Sequence, residues 1–408
     1  MRKALLCGLL ALTALLALVL IAPQPRLDAA EPTPPAEISG MDDIYIANGW
    51  TKAYPSKAVA PALSPAASKD SLPNRVFLPL VASSEPMRET RAIWVTRWDF
   101  STKANIQAIV DNAAYANLNV ILFQVRGQAD ALYTPGPEPW SAVLGALGQN
   151  PGWDPLAEMV ARAHAKGIEV HAWINTYPAW LGAVPPDAVT PAHMYPDFYS
   201  RYGDIWIQWS KGPPRMPMPL SAGNYLCANP AYPAVQNRIV DVCRYIVSNY
   251  AVDGIHLDYV RYADGGQYSY DDYTEAQLLQ TGLSRAAYQR AQVTGLLQRI
   301  RSEAFAGRSD LRLTAAVWPV YVDKWGWVSG NDGYNAFYQD SHNWARLALT
   351  DSILPMLYTN VVNYPNQEPC TDCRPHFEAL SADHVQGASP GAVFIGLSPY
   401  RGKNSAGQ

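Results

Sequence analysis

The chain has few of the features that mark nucleic-acid-binding or metal-binding proteins. Its 408 residues carry a formal net charge of -4, and neither sign forms a long run, so no basic surface suited to nucleic acid is indicated. The seven histidines include no close pair such as His-x-x-x-His, a spacing typical of zinc hydrolases. We therefore expect a protein that needs no metal or other cofactor and does not bind nucleic acid.

Cysteine is also scarce. The five cysteines are Cys7, Cys227, Cys243, Cys370 and Cys373. In an exported protein the short spacing of Cys370 and Cys373 favours a disulfide over a zinc site, because zinc needs two further ligands whose positions the sequence does not show.

Tryptophan and tyrosine, by contrast, are abundant, with 13 and 24 copies. Aromatic faces suit sugar rings, although abundance alone also fits core packing.

The N-terminus has the layout of an export signal. Arg2 and Lys3 precede an apolar run over residues 4–22, and Pro23 and a polar stretch follow. We predict an export signal or an N-terminal membrane anchor over residues 1–30, since the apolar run is nearly long enough to span a bilayer. Residues 31–88, rich in proline, alanine and serine, are predicted to be a linker, and residues 89–408 the folded domain. The protein is therefore expected outside the cytoplasm, secreted or in the cell envelope.

Segments typical of strands alternate with helical segments from about residue 91 onward, which indicates a parallel sheet with crossover helices. Seven such units predict an α/β fold of the (β/α)8 TIM-barrel type with the eighth strand missing, so that either the chain is a fragment or the barrel is open. An open doubly wound sheet is the alternative, disfavoured because no glycine-rich phosphate loop follows the first strand. Helices are predicted over residues 103–116, 154–166, 231–250 and 274–305. Strands are predicted over residues 93–98, 119–126, 168–175, 252–258, 313–318, 353–358 and 393–397.

The strand that ends at Asp258 is the most informative stretch. With a period of two, Gly254, His256 and Asp258 share one face, while Ile255 and Leu257 share the other. A carboxylate at the end of a buried strand is poorly explained by core packing, because an unpaired buried charge is costly. Asp258 is therefore the leading catalytic candidate; the alternative is an Asp that caps the next loop or pairs with Arg261.

Other polar side chains fall at the ends of separate predicted strands. Arg126 ends the second strand, Asn175 the third and Tyr358 the sixth, and catalytic groups of a barrel assemble at these carboxyl ends. Asp130 lies in the loop after the second strand. A histidine on a strand is more often a hydrogen-bonded core residue than a ligand-binding one. The predicted substrate-binding residues are Arg126, Tyr133, His171, Trp173, Asn175, His256, Arg261, Trp318 and Tyr358.

An ordered set of motifs over residues 91–401 resembles the glycosyl-hydrolase-like family ten, which includes a peptidoglycan glycosidase. The resemblance implies a TIM barrel, export, and action on glycans. The last motif is also similar to the Asp-Gly-Phe-Arg-x-Asp pattern of α-amylase-type barrels, which implies that Asp258 is the nucleophile. The motifs are Arg91-Ala-Ile-Trp94, Phe123-Gln-Val-Arg126, Asp130-Ala-Leu-Tyr133, Pro139-Trp-Ser141, Pro151-Gly-Trp-Asp-Pro-Leu156, the run over 163–175, Ala228-Asn-Pro230 and Asp253-Gly-Ile-His-Leu-Asp258.

The chain departs from the family pattern in three places. Thr176-Tyr-Pro178 stands where the family usually has Pro-Tyr-Arg, Tyr259 stands where a second acidic residue is often found, and the eighth strand is absent. The first two departures affect the expected sugar contacts, and the third bears on whether the chain is a fragment.

Glycoside hydrolysis generally needs two carboxyl groups. We take Asp130 as the second, with Asp323 and Glu138 as weaker candidates. The predicted function is a secreted or envelope glycoside hydrolase that cleaves peptidoglycan strands or a related polysaccharide, with membrane attachment through the N-terminal run as an option. A catalytically inactive carbohydrate-binding barrel is the alternative, and a polysaccharide deacetylase or other metal hydrolase is the third hypothesis.

Overall fold

The computed structural model describes the side chains of most residues in 89–328, 330–358 and 374–397, together with the backbone of a strand at 45–48. The strands are β1 (Tyr45–Asn48), β2 (Arg91–Val95), β3 (Val120–Arg126), β4 (Glu169–Asn175), β5 (Pro178–Gly182), β6 (Ser221–Cys227), β7 (Gly254–Asp258), β8 (Arg312–Val317), β9 (Ser352–Pro355), β10 (Ala392–Val393) and β11 (Ile395–Leu397). The α-helices are α1 (Lys103–Tyr115), α2 (Pro155–His164), α3 (Met194–Tyr202), α4 (Pro233–Asn249), α5 (Asp272–Thr281), α6 (Arg285–Arg299), α7 (Ser341–Arg346) and α8 (Arg374–Ala388).

One sheet of parallel strands organises the domain. Strands β2, β3, β4, β7, β8 and β9 lie side by side in chain order, and β10 extends the sheet in parallel beyond β9. Helices connect consecutive strands, as the parallel arrangement requires. The predicted α/β fold of the TIM-barrel type is confirmed.

The two edges of the sheet meet over residues 392–397. On one side these residues bond to β9 and bridge to Met356, and on the other side β11 pairs with β1. Strand β1 is antiparallel to both β11 and β2, and it lies between them at the sheet position that the eighth strand takes in a complete (β/α)8 barrel, although the sequence predicted no strand there. The sheet therefore curls around an interior.

Alternation along the strands divides buried residues into two layers. Ile255 and Leu257 belong to the large apolar cluster between sheet and helices. Trp94 and Trp173 belong to a smaller cluster on the inner face of the sheet, where His256 contacts both rings. The predicted faces of β7 are confirmed, and β4 alternates in the same way, because Val170, Ala172 and Ile174 also join the outer cluster.

Local sequence explains where the helices begin and end. Thr102 and Asn105 form a capping box before α1, and Asp154 accepts a hydrogen bond from the Ala157 N–H to cap α2. The helical region predicted over 274–305 is interrupted at Gly282, whose φ of 67° ends α5 in the left-handed conformation that glycine tolerates. Helix α6 follows, extended by a π-helical turn at Ile300–Ala304.

The long excursion between β4 and α4 contains structure that periodicity did not predict. Strands β5 and β6 form an antiparallel hairpin, and α3 lies between them in the chain. Strand β6 carries Tyr225 to the carboxyl-terminal end of the barrel, where it lines the cavity described below.

Several predictions concern residues outside the described part. The export signal or anchor over 1–30, almost all of the 31–88 linker and the Cys370–Cys373 pair fall there, so these domain and disulfide assignments stay predictions. Within the described part, no helix combines the length and apolarity needed to cross a membrane. Cys227 and Cys243 are buried free thiols.

Candidate active site

A cavity of about 260 Å³ opens at the carboxyl ends of the parallel strands. This is the end of a (β/α) barrel at which catalytic residues are normally assembled. Four predicted substrate-binding residues line it together with Asp258: Trp173, Asn175, Arg261 and Tyr358. The remaining described lining residues are Trp94, Thr96, Arg97, Trp98, Gln124, Tyr225, Tyr259, Ala316 and Met356.

Asp258 is the only carboxylate among the described lining residues. It is 9% exposed, and its Oδ1 accepts a hydrogen bond of 2.7 Å from the Tyr259 N–H and lies 3.7 Å from Arg261 Nη1. Burial raises the pKa of Asp258, and Arg261 and the Tyr259 N–H oppose that rise without cancelling it. The fold thus holds a carboxylate whose charge is costly at the base of an open cavity.

Two buried donors beside Asp258 have no hydrogen-bond partner within the described residues. They are the indole Nε1 of Trp173 and Nη1 of Arg261, whose 3.7 Å separation from Asp258 is too long for a hydrogen bond. The Trp173 indole lies near enough to favour the charged form of Asp258, although it makes no bond of ordinary geometry. Unsatisfied buried donors are rare in folded proteins, so these two are available to a molecule bound in the cavity.

Aromatic rings form one wall of the cavity. Tyr225 meets Tyr259 edge to face at 5.6 Å, and the Arg261 guanidinium lies 4.4 Å from the Tyr259 ring centroid. Trp98 is 61% exposed. Tyr259 has a φ of 50°, a strained conformation for a non-glycine residue and one found often at functional sites.

Asn175 is held by its neighbours. Its Oδ1 accepts a hydrogen bond of 3.1 Å from Gln124 Nε2, and its Nδ2 donates to the Gly127 carbonyl at 3.0 Å. In the sheet it pairs with Asp258, so the two residues lie side by side at the carboxyl ends of β4 and β7.

Arg126 does not reach the cavity, contrary to the prediction. The β3–β4 register shifts between Gln124 and Arg126, so a bulge pairs Arg126 with outward-facing Ile174. Arg126 is 1% exposed and forms a two-point salt bridge with buried Glu138 at 2.7 and 2.8 Å. It also donates to the carbonyls of Asn175 and Thr176. Arg126 therefore fixes the loop behind the site.

The structure also removes Asp130 and Tyr133 from the site. Asp130 is 1% exposed and accepts hydrogen bonds from the N–H groups of Gly127 and Gln128 and from the Ser141 hydroxyl. Its carboxylate organises the loop after β3 and does not line the cavity. Tyr133 is fully buried with its ring against Tyr245 and Tyr250. The contacts of Asp130 and Tyr133 therefore stabilise the fold around the loop after β3, and neither side chain lines the cavity.

The two predicted histidines lie inside the barrel, below the site. His256 Nε2 accepts from the Trp94 indole at 3.0 Å, which leaves Nδ1 to donate to the Thr314 hydroxyl at 2.9 Å. Burial, with a smaller effect of His171, lowers the pKa of His256 to about 3, so it is neutral at physiological pH. His171 lines a second cavity, of about 350 Å³, at the amino-terminal ends of the strands. Neither histidine lines the candidate active site, although His256 contacts two residues that do, Trp94 and Trp173.

Trp318 supports the site from behind. Its ring packs on Phe337 at 4.1 Å and on the Arg261 guanidinium at 5.3 Å, so Arg261 lies between Trp318 and Tyr259. Asp323, a weaker candidate for the acid, accepts from the N–H groups of Trp327 and Val328 and does not line the cavity.

Nine of the 14 described lining residues were not among the site residues predicted from the sequence, and Arg97, Trp98 and Tyr225 are three of them. Arg97 and Trp98 follow β2 after one intervening residue, Thr96, so their position near a strand end was an available signal. Tyr225 comes from the unpredicted hairpin and had none. Among the described residues, no group of three or more His, Cys, Asp or Glu side chains is placed to share a metal ion.

Comparisons with known proteins agree on a family. Residues 89–369 match the family described as Glycosyl hydrolase-like 10. The chain is 24% identical over 311 residues to glycosyl hydrolase YngK of Bacillus subtilis strain 168, covering 70% of this chain and 57% of the relative. It is 28% identical over 311 residues to glycosyl hydrolase DigH of Escherichia coli O6:H1, covering 68% and 66%. The chain thus spans less than two thirds of the length of these two curated relatives.

Two of the solved structures that align with part of this chain are enzymes from Paenibacillus. A cycloisomaltooligosaccharide glucanotransferase from Paenibacillus sp. aligns with a TM-score of 0.45 at 17% identity, over 74% of this chain and 37% of the other. The alpha-L-fucosidase isoenzyme 2 from Paenibacillus thiaminolyticus aligns with a TM-score of 0.39 at 17% identity, over 54% and 32%.

Proposed function

Because the chain belongs to the Glycosyl hydrolase-like 10 family, we propose that it is a glycoside hydrolase that cuts peptidoglycan strands or a related polysaccharide. The observation that carries the proposal is the position of Asp258. A buried carboxylate of raised pKa lies at the base of an aromatic-walled cavity, beside donors that nothing in the described protein satisfies. Such a combination suits a sugar and a reaction that develops positive charge at its anomeric carbon.

In this proposal Asp258 provides the negative charge of the reaction. As a nucleophile it would attack the anomeric carbon, and as a base it would take a proton from water; either role stabilises the oxocarbenium-like transition state. Arg261 and the Tyr259 N–H favour the ionised form of Asp258 and so oppose the rise in its pKa that burial causes. Asn175 and the Trp173 indole would bind sugar hydroxyls, and the rings of Trp98, Tyr225 and Tyr259 would pack on sugar faces.

The proposed reaction also needs a proton donor for the leaving oxygen. Asp130 is not that donor, because its carboxylate is buried in its own loop with three hydrogen bonds. Glu138 is equally committed to Arg126. The proposal therefore assigns one carboxylate, Asp258, and leaves the acid unassigned.

The proposed location is extracytoplasmic. This proposal rests on the basic residues and the apolar run at the N-terminus. If the export signal is not cleaved, the apolar run would attach the protein to a membrane. Fractionation of cells that produce the full chain, with protease protection, would place the domain. Recovery of the chain, with residues 1–30 uncleaved, in the cytoplasmic fraction would refute it.

A second function, sugar binding without cleavage, is favoured by one observation: the described lining residues include a single carboxylate. The two functions are separated by measuring reducing ends released from purified peptidoglycan strands and from a panel of neutral and acidic polysaccharides, with and without a chelator. A glycosidase releases new reducing ends regardless of chelator. Binding without any release would favour the inactive barrel, and release of acetate that stops with chelator would favour a metal-dependent deacetylase.

A further inference from the structure

Arg97 is a buried charge that has no ion-pair partner among the residues that the structure describes. It is 3% exposed, and none of the described Asp or Glu side chains forms an ion pair with it. A guanidinium removed from water is costly unless a partner compensates it. Because Arg97 lines the candidate active site, the cavity itself is the direction from which a partner can come.

The surrounding protein holds Arg97 in place. Its Nη2 donates to the Tyr225 hydroxyl at 2.7 Å, its backbone N–H donates to Gln124 Oε1 at 2.9 Å, and its guanidinium lies 4.8 Å from the Trp98 ring centroid. Gly127 gives it room, since a Cβ at that position would lie 2.0 Å from Arg97 Nη1. The glycine, with its ordinary backbone conformation, is thus explained by the close approach of Arg97.

The charges of the cavity do not balance. Its described lining contains two guanidiniums, Arg97 and Arg261, and one carboxylate, Asp258. Arg261 is the counter-ion of Asp258, at 3.7 Å and with 11% and 12% of the side chains exposed. Arg97 has no part in that pair, so one positive charge of the described lining is left without a counter-ion.

We propose that Arg97 is a specificity-determining residue that binds a carboxylate carried by the sugar substrate. This rests on the proposed function, because it names the substrate class of the same site. The planar guanidinium offers parallel donors that match a carboxylate, and such charge-assisted bonds are about twice as strong as neutral ones. Neutral glycans would leave the buried charge uncompensated, so the site would discriminate against them.

The test compares one glycan with and without its charge. The probe is the peptidoglycan strand freed of peptides, whose muramic acid residues carry free carboxylates, and the same strand after reduction of those carboxylates to alcohols. We expect kcat/KM on the carboxylated strand to exceed that on the reduced strand by roughly 10- to 100-fold. Arg97→Gln should bring this ratio close to one, and Arg97→Lys should give an intermediate ratio.

Arg290→Gln is the matched control. Arg290 also stacks on a tyrosine, at 4.0 Å from the Tyr334 ring centroid, but it lies outside the cavity lining. Its variant should keep the full preference. Because Arg97→Gln could impair folding, binding of both strands to the wild type and to Asp258→Asn is measured by calorimetry, which needs neither turnover nor a change at Arg97.

The outcomes separate the two proposals. Equal turnover and equal binding of the two strands by the wild type would overturn the role of Arg97 while leaving the hydrolase intact. Preferential binding of the carboxylated strand without any hydrolysis would sustain Arg97 and refute the hydrolase. A preference that folded Arg97→Gln retains in full would also overturn the inference.

Discussion

Replacing Asp258 with Asn should stabilise the protein at neutral pH. Burial raises the pKa of Asp258, so the folded state binds its proton more tightly than the unfolded state does. The contribution of this group to stability is therefore full below its unfolded pKa and is lost as pH rises through its folded pKa. The Asn variant, which resembles the protonated form, keeps that contribution at pH 7.

Two opposing energies determine how much the Asn substitution changes the stability: the attraction of Asp258 to Arg261 and the cost of burying its charge. At 3.7 Å the attraction between Asp258 and Arg261 is about 4.5 kcal/mol at an effective dielectric constant near 20, and the cost of removing the carboxylate from water is several kcal/mol. The raised pKa shows that the second effect is larger. About 1 kcal/mol moves the Tm of a large domain by roughly 2 °C. A net gain of about 0.5–2 kcal/mol for the Asn variant would therefore raise the Tm by about 1–4 °C at pH 7.

Thermal unfolding between pH 3 and pH 8 measures this. The advantage of Asp258→Asn should be present at pH 7 and shrink as pH falls. Asp323→Asn is the matched control of opposite sign, because backbone N–H groups outweigh burial and lower the pKa of Asp323. That variant should be less stable than the wild type at pH 7 and should approach it in acid. A clear loss of stability on Asp258→Asn at pH 7 would refute the reasoning and make Asp258 a structural partner of Arg261.

Two further predictions concern the other buried charges. Arg261→Gln removes the cation that favours ionised Asp258, so the pH at which acid abolishes kcat/KM should rise. The loss of activity should be greater at pH 5 than at pH 8. An unchanged pH profile of kcat/KM would contradict the ion pair. Glu138→Gln leaves buried Arg126 uncompensated and should lower the free energy of unfolding by about 3–5 kcal/mol in denaturant titrations. A loss under 1 kcal/mol would show that Arg126 finds other partners.

Much of the fold could be predicted because strand burial follows simple periodicity. Alternation around Asp258 and His256 placed both correctly on the inner face, and the seven strand positions fell within a few residues of those observed. The hairpin that brings Tyr225 to the site could not be predicted, since residues 176–226 show no sustained period. Strand β1 is four residues long and lies in a segment whose composition is typical of linkers.

The residues of the candidate site were harder to predict than the strands, because local backbone geometry and burial decide which side chains reach the cavity. Arg126 was predicted in the site because it ends the second strand, but a β-bulge turns it away from the cavity, and no sequence pattern marks that bulge. Asp130 fell at a strand end as catalytic residues do, but the N–H groups of Gly127 and Gln128 satisfy its carboxylate locally. His256 shares the face of Asp258 but lies deeper, where burial keeps it neutral. The position of a residue along the strand therefore determines whether its side chain lies in the candidate site, as for Asp258, or in the core, as for His256.

The central claim is that Asp258 supplies the charge for glycoside hydrolysis, and the direct test is turnover by Asp258→Asn. Reducing ends released from peptidoglycan strands are followed for wild type and variant at equal concentration, with the fold of each checked by circular dichroism and thermal unfolding. We predict a loss in kcat of about 1,000-fold or more, with binding of the same strands retained, because the amide keeps shape and hydrogen bonding but has no charge. A folded variant that keeps turnover within about tenfold of the wild type would contradict the account.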